Sequence, residues 1–422
     1  MNPTVLLHDM LNAALAAADP APGLKASLPP RPNGRVVVVG AGKASARMAQ
    51  ALEEFWGPCE GIVAVPRGTV LSTQTIRLVE TSHPVPDATS LQVAQEIMAL
   101  PSSLQAGDTL VALISGGGSA LLSLPCAGLS LEEKQEINCA LLMSGAPIHE
   151  MNLVRQQFSD IKGGKLAAAA GAADVLTYLV SDIPGDDPSL IASGPTIETR
   201  SDPLAARDVI NRHAMVLPPK ALALLDAEIA KSATERNEPQ QYGRRIVKIV
   251  TSPQAALEAA AEVARRAGVM PCVLGDAIEG EAREVGRVMA AIALQTVRHS
   301  QPFAAPVAYI SGGETTVTVK GNPGKGGRCS EYLLSFALAA NGQSQISAIA
   351  CDTDGRDGSE HNAGAIWHGA EPLDTKLARI ALDAHDAWSF FDKHGGLVDT
   401  GPTHTNVNDF RVTLVLGEAP VT

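Results

Sequence analysis

The sequence is poor in aromatic side chains and has no closely spaced pair of cysteines. Phe, Trp and Tyr make up 3% of the 422 residues, while 45% of all residues are hydrophobic. The core therefore has to be built mainly from aliphatic side chains and alanine. The six cysteines contain no CxxC pair, which suits neither a zinc site nor a disulfide framework. We expect them to be buried thiols in a reducing compartment.

A basic charge excess and a long apolar run are also missing. The formal net charge is -12, so we expect no nucleic-acid partner. The apolar stretch LAAAAGAADVLTYLV contains Asp174 and is too short to span a bilayer. The N-terminal segment has no cationic residues before its apolar ones, which recur with helical period. We therefore predict a cytoplasmic protein without a membrane partner, and a homodimer is left open.

Strand and helix patterns alternate along the chain. The stretch RVVVVGAGKAS reads as a buried strand that ends at glycine before a helix, and DTLVALISGGGSALL repeats that pattern. Continuous apolar strands separated by helices are typical of a parallel sheet covered on both faces. The segment 231–246 is polar and aperiodic, and the alternation resumes after it. We predict two α/β domains, residues 1–240 and 241–422, with a mixed sheet in the second.

The first of several strand-end loops is GAGKAS. In α/β sheets, ligands bind at the carboxyl ends of strands. As a dinucleotide-binding fingerprint the loop is incomplete, because Ser45 stands where a third glycine or alanine belongs. The next strand ends in Pro66 and Arg67, without a carboxylate for the ribose of NAD, although an arginine at this place can accept the 2′-phosphate of NADP. Lys43 is placed to present an ammonium group to an anion, and a surface lysine on a turn is the alternative.

The second loop is SGGGSALL, in which three glycines precede a predicted helix. Its residues are Gly116, Gly117, Gly118 and Ser119. Backbone N–H groups at such a helix N-terminus can bind phosphate or carboxylate. The spacing and the missing lysine exclude a Walker motif. A tight structural turn is the competing interpretation.

Two further loops are acidic and also follow apolar strands. Their carboxylates are Asp182, Asp186 and Asp187 in the third loop, and Asp352, Asp354 and Asp357 in the fourth. Mg²⁺ binds through few carboxylates and several waters, so Asp182 and Asp354 are candidate metal ligands. The fourth loop lacks the distal glutamate of a calcium-binding loop. Turn chemistry is the alternative, because Asp, Pro and Gly are also turn formers.

The stretch ISGGETTVTVKGNPGKGGRCSE has glycine pairs on both sides of a strand-like run. The residues of interest are Gly312, Gly313, Glu314, Gly326, Gly327 and Arg328. The glycines would let the backbone approach a phosphate group closely. Arg328 would add a planar cation to a helix N-terminus, an arrangement that suits a phosphoryl group.

These stretches, taken together, resemble one family. In order along the chain they are GAGKAS, HPVPD, SGGGSALL, SDIPGD with IASGPT, GGETTV with GKGGR, TDGRDG and GPTHTNVND. The order is similar to that of the glycerate 2-kinases with a C-terminal MOFRL domain, whose members often carry the older name hydroxypyruvate reductase. The resemblance covers residues 5 to 415. It implies a Rossmann-like N-terminal domain with a mostly parallel sheet and a second α/β domain that contains the MOFRL region, about 305–415.

The resemblance also implies an activity. It is the phosphorylation of D-glycerate to 2-phosphoglycerate, with ATP and Mg²⁺, and it gives Lys43 and Arg328 catalytic roles. His83 and Asp87, in HPVPD, are a further hypothesis for polar contacts to the substrate. A turn fixed by two prolines is the alternative there. The chain departs from the family pattern at Cys329, Ser330 and His404.

Two other functions compete with the kinase. An NAD(P)H-dependent hydroxypyruvate reductase needs a complete dinucleotide fingerprint and a histidine paired with a carboxylate, and the sequence shows neither. A non-catalytic sensor of sugar acids or nucleotides is a different class. The lysine, arginine and acidic residues in the strand-end loops count against a sensor.

Overall fold

The computed structural model describes residues 2–199, 202–232, 242–319 and 321–417. The chain forms two compact units. We call residues 20–250 the first unit, and residues 1–19 together with 251–422 the second unit.

The first unit contains a sheet with the strand order of a Rossmann fold. Its strands are β1 (Val36–Ala41), β2 (Glu60–Pro66), β3 (Arg77–Thr81), β4 (Thr109–Ile114), β5 (Asp174–Val180) and β6 (Arg245–Thr251). Their spatial order is β3-β2-β1-β4-β5-β6, and every pairing from β3 to β5 is parallel. The prediction of a Rossmann-like, mostly parallel first sheet is therefore confirmed.

Helices flank this sheet, and a separate group packs beside it. They are α2 (Pro20–Ser27), α3 (Ser45–Trp56), α4 (Ala88–Ala99), α5 (Gly118–Leu121), α6 (Leu131–Met143), α7 (Ile148–Gln157), α8 (Lys165–Ala168), α9 (Pro203–Arg212) and α10 (Pro219–Ser232). Strands β1 and β4 are buried along their whole length. The buried cluster around them consists of aliphatic side chains and alanine, as the composition predicts. Apolar residues of α6, α7, α9 and α10 form a second cluster.

The second unit contains a mixed sheet. Its strands and those of a small two-stranded ribbon are β7 (Met270–Gly275), β8 (Gly280–Glu281), β9 (Val307–Ser311), β10 (Thr315–Thr316), β11 (Ile346–Asp352), β12 (Gly364–His368), β13 (Leu397–Val398) and β14 (Asp409–Val415). The sheet order is β13-β12-β11-β14-β9-β7. The β7–β9 pairing is parallel and the others are antiparallel, so the predicted mixed sheet is confirmed.

The scarce aromatic residues are concentrated in the core of the second unit. Its helices are α1 (Pro3–Ala18), α11 (Pro253–Arg266), α12 (Ala282–His299), α13 (Arg328–Ala340), α14 (Thr375–Asp383) and α15 (Ala387–His394). Tyr332 and Phe336 of α13 stack on each other, and Phe336 meets the edge of Trp367. Alanine and aliphatic side chains still make up most of this core, so the expectation from the composition holds for both sheets, with the aromatic residues added in the second.

The two compact units differ from the predicted division at residue 240. Helix α1 belongs to the second unit, where the hydroxyls of Thr251 and Thr405 donate to the carbonyls of Ala17 and Ala18. Strand β6 completes the first sheet, so the first unit extends to residue 250. Residues 233–241 of the predicted boundary segment lie outside the described residues.

Two further expectations from the sequence concern the burial of the cysteines and the absence of a membrane-spanning helix. All six cysteines are free thiols, and Cys59, Cys329 and Cys351 are buried. The expectation of burial is wrong for Cys139, because that side of α6 faces solvent. In the part of the chain that the structure describes, no helix combines the length and apolarity needed to cross a membrane.

Gly286 lies where α12 and α13 approach each other closely. A Cβ atom there would collide with the backbone carbonyl of Tyr332. Alanine is a better helix former than glycine by about 1 kcal/mol, but overpacking a core costs about 1–3 kcal/mol. Because the Cβ would meet a backbone atom that cannot rotate away, the cost lies toward the upper end of this range, and we expect Gly286→Ala to lower the free energy of unfolding by about 1–2 kcal/mol, measured by urea denaturation. Val288→Ala, at an exposed position of α12, is the control and should change it by less than about 0.5 kcal/mol. A Gly286→Ala protein as stable as the parent would contradict the close packing.

Candidate active site

The loops after β1 and β4 meet at the point where the strand order of the first sheet reverses. Open α/β sheets bind ligands at this switch point. The backbone N–H of Lys43 donates to the carbonyl of Gly116 at 2.9 Å. The N–H of Ala44 donates to Ser115 Oγ at 3.0 Å, and the N–H of Ser115 donates to the carbonyl of Ala41. The two predicted loops therefore form one continuous surface.

The side chains of Lys43 and His83 both border Gly117. The backbone of Gly117 is left-handed, with φ of 78°, which favours glycine. A Cβ atom at this position would lie 3.0 Å from His83 Nε2 and 3.5 Å from Lys43 Cγ. The structure thus brings three predicted residues together, a cation, an imidazole and a glycine loop.

Asp87, the other residue predicted to contact substrate, has a structural task. Its carboxylate accepts from the N–H of Ser90 at 3.0 Å and caps α4. Its second oxygen pairs with Arg67 at 2.7 Å. The turn interpretation of HPVPD therefore describes Asp87 well, while His83 points to the glycine loop.

The helix predicted to follow the glycine loop is a single turn. Helix α5 spans Gly118–Leu121, so it contributes little macrodipole to an anion at Ser119. Gly118 instead packs closely against the turn that contains Ala192. A Cβ atom at Gly118 would lie 2.8 Å from Ala192 Cβ. Ser119 Oγ and Ser193 Oγ are 3.1 Å apart.

Sequence reasoning missed three cations next to this loop. Lys162 Nζ donates to the carbonyls of Ser119 and Leu122, at 2.8 and 3.0 Å, and these two hydrogen bonds fix the position of α5. Arg155 and Lys134 lie nearby in α7 and α6. Burial lowers the pKa of Lys134 to about 7. Two of the three cations, Arg155 and Lys162, lie in the stretch NLVRQQFSDIKGGKLA. This stretch is rich in cations and contains one carboxylate, which was the sequence signal for these cations.

In the second unit, three carboxylates surround Arg328 at the start of α13. Its Nε pairs with Asp409 at 2.6 Å, its Nη2 with Asp352 at 2.8 Å and its Nη1 with Glu314 at 2.6 Å. Burial alone would lower the pKa of Arg328, but the attraction of these carboxylates, Asp409 first, raises it above the usual range. Arg328 is therefore a planar cation at the start of α13, as the sequence predicts, and three carboxylates that the sequence did not indicate hold it in place.

Asp409 connects Arg328 to a second arginine. Its Oδ2 accepts from Arg411 Nη2 at 2.6 Å and from the N–H and hydroxyl of Thr315, at 3.2 and 3.1 Å. Asp409 and Arg411 are fully buried. Burial would raise the pKa of Asp409, but the two guanidinium groups, Arg411 first, hold it below the usual range. Arg411 in turn lies over the ring of Tyr332, 5.3 Å from its centroid.

The N-terminus of α13 receives a carboxylate of the chain itself. Asp357 accepts from the N–H of Cys329 at 2.9 Å and from the N–H of Ser330 at 2.8 Å. A Cβ at Gly327 would collide with this carboxylate, and the N–H of Gly326 points to Ser359 Oγ at 3.4 Å. Gly327 thus allows the approach of Asp357, where the sequence predicted a phosphate.

The glycines before Glu314 also serve the chain itself. The N–H of Gly312 donates to the carbonyl of Gly275 at 2.9 Å, and the N–H of Asp409 donates to the carbonyl of Gly313 at 3.0 Å. Glu314 is different, because its side chain is 53% exposed and still pairs with Arg328.

The two predicted metal ligands lie in different units. Asp182 follows β5 in the first unit, and Asp354 follows β11 in the second. Asp354 accepts from the N–H of Arg356 at 2.9 Å, and its own N–H donates to Asp352 at 3.1 Å. Within the described ranges, no group of three or more His, Cys, Asp or Glu side chains is arranged to hold a metal ion. The metal assignment stays a prediction.

Family models match both parts of the chain. A domain of unknown function, DUF4147, matches residues 6–226, and the MOFRL family matches residues 307–409. The chain is 34% identical to the D-glycerate 2-kinase of Thermotoga maritima, over 97% of this chain and 98% of that protein. It is 46% identical to an Agrobacterium vitis protein named "Putative hydroxypyruvate reductase", over 97% of this chain and 94% of that protein.

A solved structure agrees with these matches. The crystal structure of glycerate kinase from Thermotoga maritima superposes with a TM-score of 0.83 at 32% identity, covering 97% of this chain and 99% of that one. The fold and the two family matches define a protein that joins a Rossmann-like unit to a MOFRL unit. The chain belongs to the glycerate kinase family.

Asp409 is the first site residue to test. In Asp409→Asn, two buried guanidinium groups lose their shared counter-charge, and breaking a buried ion pair costs about 3–5 kcal/mol. We expect the free energy of unfolding to fall by that amount in urea denaturation. Asp392→Asn, at an exposed position of α15, is the control and should change it by less than about 0.5 kcal/mol. A small loss at both positions would contradict the role of Asp409.

Asp357 gives a dependence of stability on pH. Burial raises the pKa of Asp357 from 3.8 to about 6, although Ser330 and Cys329 donate to it. Between these values the folded state binds more protons than the unfolded state, so stability falls as pH rises. The whole shift corresponds to about 3 kcal/mol.

The test compares the parent protein with Asp357→Asn in urea denaturation from pH 4 to pH 7. We expect the parent to lose stability relative to the variant as the pH rises through about 6. A difference between the two proteins that does not vary with pH would show that the Asp357 pKa is unshifted.

Proposed function

We propose that this protein is a D-glycerate 2-kinase, which transfers the γ-phosphoryl group of ATP to D-glycerate and releases 2-phosphoglycerate and ADP. One observation carries the proposal. A chain that matches the D-glycerate 2-kinase of Thermotoga maritima along nearly its whole length has Lys43 and His83 together at the switch point of its Rossmann-like sheet. The nucleotide, the substrate and the position of transfer are parts of this proposal.

Phosphoryl transfer requires little covalent chemistry from a protein. It requires positioned reactants and positive charge against the transferring group. We assign Lys43 to neutralising charge near the acceptor hydroxyl, since its side chain borders the open face of Gly117. His83 borders the same glycine and is assigned to a polar contact with the acceptor.

Arg328 is assigned to the transferring phosphoryl group. Two of its three carboxylate partners, Asp409 and Asp352, are buried and hold the guanidinium in one orientation. Glu314 is 53% exposed and is the partner that a phosphoryl group can displace from Nη1. Exposed ion pairs contribute about 0–1 kcal/mol, so this exchange costs little. The arrangement is preorganised, because the cation does not have to move when charge develops.

The remaining assignments concern the nucleotide and its metal ion. The loop of Gly116, Gly117, Gly118 and Ser119 is assigned to an anionic group of a substrate, with support from its position at the switch point. Asp182 in the first unit and Asp354 in the second are each assigned as a candidate Mg²⁺ ligand, because this ion takes few carboxylates and completes its shell with water and phosphate oxygens. When bound, Mg²⁺ supplies positive charge to the phosphates.

The name of the Agrobacterium vitis relative makes hydroxypyruvate reduction the second candidate. The structure places Pro66 at the end of β2, and Arg67 after it pairs with Asp87. The carboxylate that would bind a ribose of NAD is therefore missing from this strand end, which favours the kinase.

One pair of assays separates the two functions. The full chain is incubated with D-glycerate, ATP and Mg²⁺, and separately with hydroxypyruvate and NADH. We expect ADP to form in the first mixture and the NADH absorbance to stay constant in the second. Consumption of NADH without ADP formation would overturn the kinase in favour of the reductase.

Substitution of either assigned cation should slow turnover. Loss of a cationic contact to the transition state costs about 3 kcal/mol, or about a hundredfold in kcat. We expect this loss for Lys43→Ala and for Arg328→Ala, measured by steady-state ADP release. Arg328→Lys should not restore the rate, because an ammonium group cannot hold three carboxylates in the geometry of a guanidinium group.

Matched controls are exposed cations in each unit. Lys248→Ala and Arg298→Ala remove one positive charge each from the surface and should leave kcat within about twofold of the parent. Near-parental kcat in either Lys43→Ala or Arg328→Ala would refute the role assigned to that residue.

A further inference from the structure

Three cations in the first unit lie together without an acidic partner. We call Lys134, Arg155 and Lys162 the cationic cluster. Lys134 and Lys162 are fully buried, and Arg155 is partly buried. Lys134 Nζ donates to the carbonyl of Arg155 at 3.1 Å, and Lys162 Nζ donates to two carbonyls of the glycine-loop segment. Among the residues that the structure describes, no carboxylate forms an ion pair with any of the three.

Such a cluster is unfavourable in an empty protein. Burial of a charge without a counter-charge is costly, and a buried lysine avoids part of that cost by losing its proton. Burial, followed by repulsion from Lys134 and Arg155, lowers the pKa of Lys162 well below its usual range. Burial also lowers the pKa of Arg155, whose guanidinium nevertheless stays charged. An anion bound beside the cluster would remove this cost.

Arg155 is the member of the cluster that an anion can reach. The two lysines are enclosed and already use Nζ on backbone carbonyls, whereas Arg155 is partly exposed. Its Nη1 donates to Asn152 Oδ1 at 2.8 Å, and its other donors have no partner among the described residues. A guanidinium group presents its donors in a fork that matches a carboxylate or a phosphate.

Hydrogen bonds connect Arg155 to the glycine loop. Asn152 Oδ1 also accepts from Ser193 Oγ at 2.9 Å, and Ser193 Oγ lies 3.1 Å from Ser119 Oγ. The chain of contacts therefore runs from the arginine to the loop through two polar side chains. Arg155 has a defined position relative to the loop and is not a freely moving surface residue.

The turn that contains Ser193 is strained, which is an independent sign of a functional site. Ala192, Ser193 and Gly194 are consecutive left-handed residues, with φ of 51°, 61° and 60°. This backbone conformation is unfavourable for Ala192 and Ser193, which have a Cβ atom, and strain of this kind clusters at ligand sites. The strained turn packs directly against Gly118 and Ser119.

We propose that Arg155, oriented by Asn152 and backed by Lys134 and Lys162, binds an oxyanion of a substrate beside the glycine loop. The oxyanion is the carboxylate of the hydroxy-acid acceptor or a phosphate of the nucleotide, which share the same fork-shaped recognition. The identity of the ligand rests on the proposed function. The presence of an anion site does not.

The test measures binding and turnover separately on the full chain. Isothermal titration gives the Kd of D-glycerate and the Kd of ATP with Mg²⁺ for the parent and for Arg155→Gln. We expect the Kd of one of these two probes to rise at least about tenfold and the other to change little. A selective rise for D-glycerate assigns the acceptor carboxylate, and a selective rise for ATP assigns a nucleotide phosphate. Arg155→Lys should recover part of the affinity.

A second variant keeps the arginine and the fold. Asn152→Asp places a carboxylate against Arg155, where it competes with the bound anion. We expect this variant to unfold at the parental temperature or above, because it gives the cluster a counter-charge, and yet to bind the same probe at least about tenfold more weakly. A purely structural Arg155 would give no such opposite effects on stability and binding.

The control is Arg212→Gln, an exposed arginine at the end of α9 that pairs with Glu150. It should leave both Kd values within twofold of the parent. If Arg155→Gln and Asn152→Asp fold and leave both Kd values within twofold, the anion site is refuted. If the parent binds a probe through Arg155 but releases no ADP, the kinase fails and the anion site stands.

Discussion

The buried carboxylate of Asp409 lies between two guanidinium groups, and the functional part of the second unit depends on it. One of its oxygens binds Arg328 and the other binds Arg411 and Thr315. Through these contacts it connects the first residue of α13 with β14 and β10. Without this carboxylate, the buried Arg411 would lose its ion-pair partner, and Arg328 would lose one of the two buried carboxylates that orient it.

The two units differ in the groups that surround their buried cations. In the second unit, Arg328 is surrounded by carboxylates that fix its position and balance its charge. In the first unit, the lysines of the cationic cluster donate to carbonyl oxygens, and no carboxylate among the described residues forms an ion pair with the cluster. An acidic chain of net charge -12 thus contains one cation that is prepared for precise placement and a separate group that favours an anion.

Features that depend on local sequence could be predicted. Continuous apolar strands with glycine at their ends gave the parallel first sheet, and the short loop GAGKAS gave Lys43 its place at the switch point. The region about 305–415 agrees with the MOFRL match at residues 307–409. The first two features depend on residues within one strand and the loop that follows it, and the third follows from the order of short motifs along the chain.

Features that depend on contacts between distant residues could not be predicted. The partners of Arg328 stand at positions 314, 352 and 409, and no local pattern joins them. The sequence places Asp357 in an acidic loop. In the folded chain its carboxylate accepts from the N–H groups of Cys329 and Ser330, which are 28 and 27 residues away. The cationic cluster was overlooked because buried lysines are rare and surface positions are the usual expectation for them.

Phosphorylation of D-glycerate on its 2-oxygen is tested most directly by finding which oxygen of the product carries the phosphoryl group. The product formed from D-glycerate and ATP is examined by proton-coupled phosphorus NMR. Phosphorus on the 2-oxygen has one proton on the adjacent carbon and gives a doublet, whereas phosphorus on the 3-oxygen has two and gives a triplet. A D-glycerate 2-kinase forms 2-phosphoglycerate, so we expect a doublet. A triplet, or no phosphorylated product, would contradict the proposed function.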